Sequence, residues 1–231
     1  MKYIILMTLF LTTKVFSQDV NKICENYVLK IGGAQNVGKI ENISVEQLGY
    51  SNNYEIPQNR IVVKNKAIYQ ETIYPDAKLI VALEGNKGWE LNPFVSKKAR
   101  ELSTTEVGIY KANIDIFGPL YDYYTNGSNS KVKEILIDSE KEVDRDICFK
   151  LKVTYKANFI DYIFISKKTY LVRKVENSMG TIIYSNYKKV NNVLFPFNLE
   201  IKNNLGIMTI DVTKLKANIK IDSKIFIFPS K

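Results

Sequence analysis

The sequence predicts a mainly β chain (α+β). About eleven antiparallel strands would form a single strongly curved sheet, with two helices covering its apolar face. Three observations carry this reading. Short runs rich in Val, Ile, Thr, Tyr and Phe recur through most of the chain, separated by Gly, Asn, Asp and Pro. In the last two runs the alternation is plain: Phe195, Phe197, Leu199 and Ile201 oppose Asn198, Glu200 and Lys202, while Met208, Ile210 and Val212 oppose Thr209, Asp211 and Thr213. Helical periodicity is confined to two stretches, too few to cover so large a sheet. Two architectures satisfy these facts: a closed barrel, or a half-open one whose apolar face bounds a cavity.

The chain opens on Lys2, the apolar run Tyr3–Leu11 and the small-residue exit Val15-Phe16-Ser17. That order describes a secretory signal peptide over 1–17, cleaved after about Ser17. The apolar run is far shorter than the ~20 residues of a spanning helix. Cys24, the only nearby cysteine, is preceded by polar Gln18, Asp19, Asn21 and Lys22, which speaks against a lipid anchor. The expectation is an exported, unanchored protein with one domain over 18–231.

Residues 19–32 read as a helix. Asp19 can cap it; Val20, Ile23, Cys24, Tyr27, Val28 and Ile31 share a stripe, and Gly32-Gly33 ends it. Strand signals run from about Ile43 to Leu91, at 61–63, 67–74, 78–84 and around Trp89. The turn Gly85-Asn86-Lys87-Gly88 leads into that last strand, and Asn92-Pro93 stops it. A second helix is predicted over 103–116, with Ser103 as cap and Glu106 in its first turn, terminated by Gly118-Pro119. A short aromatic segment, Leu120–Tyr124, precedes the Asn126-Gly127 turn. Strands then follow at 131–137, 147–155, 159–165, 170–176, 181–188, 194–202 and 206–213.

Composition excludes several functions. The chain has no histidine, which removes His-based triads, His general bases and His metal ligands. Ser–Lys or paired-carboxylate chemistry stays formally open. The acid cluster Asp138–Asp146 lacks the glycine and terminal Glu of a calcium loop and reads as a solvated turn between strands. The sequence therefore predicts no enzyme, no metal and no cofactor. The net charge is +9, but only four of the 33 basic residues are arginine and the lysines are scattered, so nucleic acid is not the expected partner. Cys24 and Cys148 can form a disulfide in an exported protein, or can be two small apolar residues. In DICFKLKVTY, Ile147, Phe149, Leu151 and Val153 occupy one face, leaving Cys148 with Lys150 and Lys152 on the other.

The stretch Glu84–Phe94, EGNKGWELNPF, resembles a signature hairpin of the periplasmic outer-membrane lipoprotein-sorting (LolA/LolB-like) family. The same resemblance extends over Lys30-Ile31-Gly32-Gly33, Phe117-Gly118-Pro119-Leu120-Tyr121-Asp122-Tyr123, the segments 168–176 and 187–197, and the closing Asp222-Ser223-Lys224-Ile225-Phe226 with Pro229. It implies the half-open barrel, with helices at its mouth and an interior that receives acyl chains. Carriers of that kind place an arginine just before the strand pair leading to the Trp hairpin. Here Lys64-Asn65-Lys66 stand in that region, so a planar guanidinium is replaced by a point charge.

Candidate cavity-lining residues are Trp89, Leu91, Phe195, Phe197, Tyr69 and Tyr162, each of which ordinary core packing also explains. The resemblance implies a soluble periplasmic carrier that binds acyl chains of lipoproteins, or another lipid, and moves them toward the outer membrane. Its partners would be an inner-membrane release complex and an outer-membrane acceptor, and it would act as a monomer. The alternative is a periplasmic sensor or regulatory module that uses the same fold without shuttling. A small-molecule reaction on this fold is a weaker third reading, for want of histidine and of a nucleophile motif.

Overall fold

In the computed structural model of the chain, residues 19–51, 54–112 and 114–229 are described. The signal-peptide reading of 1–17 lies outside them. The first meander comprises β1 (Asn42–Ser51), β2 (Tyr54–Val63), β3 (Ala67–Tyr74), β4 (Ala77–Glu84), β5 (Lys87–Leu91) and β6 (Arg100–Glu101). The second comprises β7 (Val132–Val143), β8 (Asp146–Tyr155), β9 (Ile160–Ser166), β10 (Val172–Asn177), β11 (Gly180–Val190), β12 (Val193–Asn203) and β13 (Gly206–Ala217). All belong to one antiparallel sheet in the order β6-β5-β4-β3-β2-β1-β13-β12-β11-β10-β9-β8-β7. The sheet is open, with β6 and β7 at its edges, so the half-open solution is the one adopted.

The described strands number thirteen where the sequence pattern predicts about eleven. One addition is the two-residue edge strand β6, too short to leave a pattern. Strand β2 is also longer than the predicted 61–63, because its paired residues begin at Tyr54. Its Pro57 pairs with Leu48 of β1, while pairing with β3 starts only at Gln58. The missing proline N–H therefore leaves no gap in the second ladder.

Helix α1 (Val20–Ile31) follows the predicted stripe, with the Asp19 carboxylate accepting the Asn21 N–H. A second short helix, α2 (Ala34–Gly38), follows at once. Helix α3 (Thr104–Ala112) starts where predicted: Ser103 donates its N–H and hydroxyl to the Glu106 carboxylate and accepts the Glu106 N–H, a reciprocal cap. It ends earlier than 116. Gly118-Pro119 does not simply stop a helix; it begins α4 (Gly118–Asn126), which contains the segment read as merely aromatic. Proline suits the first helical turn, where its absent N–H would have no helical partner anyway. Asp115 adds the start signal by accepting the N–H groups of Phe117 and Gly118.

These helices lie against one face of the sheet, the inner face. A flat sheet of this many strands would span roughly 60 Å. Yet Ile43, Val62, Ile68 and Leu83 from one half belong to the same apolar cluster as Phe149, Leu151, Ile163, Ile165 and Phe195 from the other. The sheet must curl around the helices for both halves to reach them. Tyr27, Val28 and Ile31 of α1 and Leu120 of α4 fill the space between.

Cys24 lies in this cluster, whereas Cys148 packs with Val143 and Phe164 on the outer face. The sheet separates the two thiols; both are free, and the disulfide considered from the sequence is not formed. Ile147 departs from expectation as well: at the start of β8, beside the Asp144-Arg145 turn, it is 55% exposed.

Gly32 adopts φ +141, and a Cβ there would stand 2.6 Å from the Asn192 carbonyl oxygen in the β11–β12 turn. Gly32→Ala is expected to cost about 2 kcal/mol in urea unfolding, since both the conformation and the close approach are lost. Burial pushes the Cys24 thiol up to about 12, with Asp19 adding to it, and the Cys148 thiol up to about 11. Such shifts favour the native state below the ordinary thiol value of 9.0 and lose that contribution as pH rises through the native values. Stability should therefore decline above pH 9, and at pH 8 neither thiol should react with an aromatic disulfide reagent until the protein is denatured.

Candidate functional site

The inner face has two unequal parts. At the end of the sheet where β2 and β4 finish, the helices seal it. The Tyr27 hydroxyl donates to the Phe117 carbonyl at 3.0 Å, and the Phe117 and Phe195 rings lie 5.8 Å apart. The β2–β3 turn holds this cover down. Lys64 Nζ donates to the Gly38 carbonyl at 3.2 Å, and the Asn65 N–H donates to the Ile114 carbonyl at 3.1 Å. Lys66 pairs with Glu84 at 2.9 Å. Lys64, Asn65 and Lys66 thus fasten the helices and the neighbouring turn.

Toward the other end the helices stay against β7 and β8 and leave the far part of β11–β13 uncovered. Strand register carries the inner face onward through Tyr184, Leu199 and Ile210, which pair in sequence across β11, β12 and β13. Ile182, Ile201 and Met208 continue the same side. Tyr184, Leu199, Ile201 and Met208 are only half-buried, so the sheet presents a strip of accessible apolar surface here. Alternation makes the strip, because each of these residues is two positions from another inner residue.

The adjoining wall, built by β1, β2 and β3, is polar. The Gln47 side-chain amide donates to that of Gln58 at 2.7 Å, and Gln58 and Thr72, which pair across β2 and β3, are both buried. Arg60 faces the same side, between Val45 and Gln70. Burial lowers the pKa of its guanidinium, and the nearby Tyr184 opposes that. Burial raises the Tyr184 hydroxyl to about 12, with Asp161 adding and Arg60 subtracting. Asp161 accepts the Tyr155 hydroxyl at 2.7 Å and the Asn177 amide at 3.0 Å. Gly49 joins the two walls; a Cβ there would lie 3.5 Å from Gln58 Nε2 and 3.6 Å from Met208 Sδ. The result is an amphipathic surface: hydrocarbon can lie along β11–β13 while polar groups meet the amides and guanidinium of β1–β3.

Of the six residues singled out from the sequence, Phe195 and Phe197 lie on the inner face, buried beneath the helices. The other four are on the opposite face. Trp89 pairs with Ala82, which pairs with Tyr69, and Leu91 lies two residues beyond Trp89. Their immediate neighbours Gly88, Leu83 and Ile68 are the ones that face the core. The C-terminal segment covers this outer patch, and Trp89 Nε1 donates to the Phe226 carbonyl at 3.1 Å. Two motifs that carry the family resemblance therefore bind each other. Tyr162 pairs with Lys152 and packs beside Phe164, also outside. The strip itself was visible in the sequence as the alternation of β12 and β13, whereas Arg60 and Gln58 gave no signal.

Two solvent-open pockets lie elsewhere. One of about 490 Å³ is bounded by Asn21, Cys24, Tyr123, Ser128 and Lys156, and one of about 450 Å³ by Leu29, Gly32, Lys189 and Asn192. Both sit at the margins of the helices and neither includes a residue of the strip. Among the described residues no helix is long and apolar enough to cross a membrane.

No family model matches the chain, and no curated protein matches its sequence. Solved structures do match. A LolA superfamily protein from Nitrosomonas europaea aligns with TM-score 0.59 and 13% identity, over 90% of this chain and 97% of that one. A DUF1329 family protein from Desulfovibrio piger gives the same four values. An outer-membrane lipoprotein-sorting protein domain from Vibrio parahaemolyticus aligns with TM-score 0.55 and 13% identity, over 89% and 95% of the two chains. The fold is thus LolA-like over nearly its full length.

Because Trp89 holds the C-terminal segment rather than a cavity wall, Trp89→Phe should cost about 1 kcal/mol of stability through the lost hydrogen bond. Amide exchange should rise in residues 219–229 and stay unchanged in β11–β13.

Proposed function

We propose that this chain is a carrier of acylated cargo in the bacterial envelope, holding an acyl chain of a lipoprotein or another lipid along the strip of β11–β13. The observation that carries the reading is the half-buried apolar surface of Tyr184, Leu199, Ile201 and Met208 beside a polar wall, on the inner face of an open sheet. The LolA-like fold supports it, and so does the lipoprotein-sorting description of the Vibrio parahaemolyticus domain. On this reading the protein works in the periplasm after removal of residues 1–17, acts without catalysis, and moves its cargo toward the outer membrane.

The physical terms favour a releasable complex. Each buried CH₂ contributes about 0.8 kcal/mol, so eight of them contribute about 6 kcal/mol. That corresponds to a dissociation constant of tens of micromolar, before the costs of association. The strip alone would hold a tail loosely. Hydrogen bonds from Gln58 and Arg60 to the ester or amide oxygens of the cargo would add affinity and orientation. Handing cargo onward then requires little more than breaking those polar contacts at the open end.

The test is titration of the purified protein with a fluorescent diacylated peptide. Saturable binding near one per chain is expected, with at least tenfold weaker binding by Leu199→Lys/Ile201→Lys at unchanged thermal stability. No binding by the parent protein, or equal affinity of the variant, would contradict the reading. Trp89→Phe serves as the outer-face control and should bind like the parent.

A further inference from the structure

The two ends of the sheet differ sharply in what their turns expose. Turns of a meander alternate between ends, and the β1–β13 register (Ile43 with Ala217, Tyr50 with Thr209) aligns the two meanders. One end therefore gathers the connections β1–β2, β3–β4, β8–β9, β10–β11 and β12–β13 together with the exit from β5. These carry large apolar residues in the open: Tyr54, Phe94, Val95, Phe159, Met179 and Leu205, the last 94% exposed. At the other end the turns read Lys64-Asn65-Lys66, Gly85-Asn86, Asp144-Arg145 and Asn191-Asn192. Of the described residues flanking those turns, only Ile147 is large, apolar and exposed.

The apolar tips are held in place. The Asn92, Asn177 and Asn203 side chains each accept the N–H two residues on, from Phe94, Met179 and Leu205 at 3.2, 2.9 and 2.8 Å. The same side-chain turn thus sets an apolar residue at three separate tips. Phe94 also packs edge-on against Tyr74 at 4.9 Å, and Phe159 stacks on Tyr155 at 3.9 Å. Around these tips lie the exposed lysines Lys78, Lys97, Lys98, Lys156 and Lys202. Lys78 pairs with Glu71 at 3.9 Å and Lys202 with Glu200 at 2.7 Å, so the excess rests on Lys97, Lys98 and Lys156 against the exposed acids Glu55 and Asp76.

We infer that this rim is a docking surface for an anionic lipid bilayer. Aromatic and aliphatic side chains at several points in one rim suit shallow insertion at the headgroup level, and the lysine excess complements acidic headgroups. A protein partner would need a continuous apolar patch, whereas these residues are separate points at the ends of different hairpins. The inference builds on the carrier reading, since Met208 and Ile201 lie just inside the β12–β13 tip, where an acyl chain would pass between bilayer and strip.

The test is co-sedimentation of the purified chain with cargo-free vesicles, either pure phosphatidylcholine or a phosphatidylglycerol–phosphatidylcholine mixture. Binding to the anionic vesicles is expected, weakened by salt and at least tenfold stronger than to the neutral ones. Phe94→Ser/Met179→Ser/Leu205→Ser should lower it at least tenfold and leave solution affinity for the diacylated peptide unchanged. Lys97→Glu/Lys98→Glu should lower it on anionic vesicles alone. Absence of binding by the parent chain, or undiminished binding by the triple variant, would overturn the inference while the peptide titration stands on its own. A dimer in solution that the triple variant abolishes would overturn it too, by assigning the rim to a second copy of the chain.

Discussion

The ladder between β1 and β13 joins the first strand of the sheet to the last, across most of the chain's length. Its register runs from Ile43 opposite Ala217 to Tyr50 opposite Thr209, with one irregularity between Glu46 and Gln47. On either side of this seam lies a simple meander that forms from local hairpins. Without the seam the meanders would be two separate sheets, each with an uncovered apolar face. With it, the combined sheet curls around one set of helices, and residues from both halves enter one core. Pairing the ends of a chain is costly in loop-closure entropy, so burial of that shared core has to offset it.

The same seam creates the functional asymmetry. The helices leave the far part of β11–β13 uncovered, while Lys64 and Asn65 tie them to the β2–β3 turn at the opposite end. Beyond them the inner residues of β11–β13 remain apolar but lose their cover. Next to them across the seam, β1 and β2 turn amides and a guanidinium to the same side. A protein built only for stability would cover the strip or make it polar. Half-buried, beside polar groups and next to an apolar rim, the strip suits the amphiphilic cargo we propose for it.

Much of this was legible in the sequence, for definite reasons. The alternation in β12 and β13 is regular because one face is apolar along the whole strand, and it contained the strip without identifying it. The first half of β2 was hidden because Gln58 and Arg60 occupy inner positions and break the alternation; the residues that obscured the strand are those that make the polar wall. Helix α4 was hidden by Gly118-Pro119, which serves as well to start a helix as to end one. The face of Trp89 could not be read either. A shift of one residue exchanges Trp89 for Gly88, and the C-terminal segment covers Trp89 on the outer face so that it too is buried.

The most direct test of the central claim, that acylated cargo lies along the inner strip, is photo-crosslinking with a fatty acid that carries a diazirine near its methyl end, followed by peptide mapping. The account predicts adducts concentrated on β11–β13, at Tyr184, Leu199, Ile201 and Met208. Adducts on the outer-face residues Trp89, Leu91 or Tyr162, or in the pocket beside Tyr123 and Lys156, with none on the strip, would contradict it.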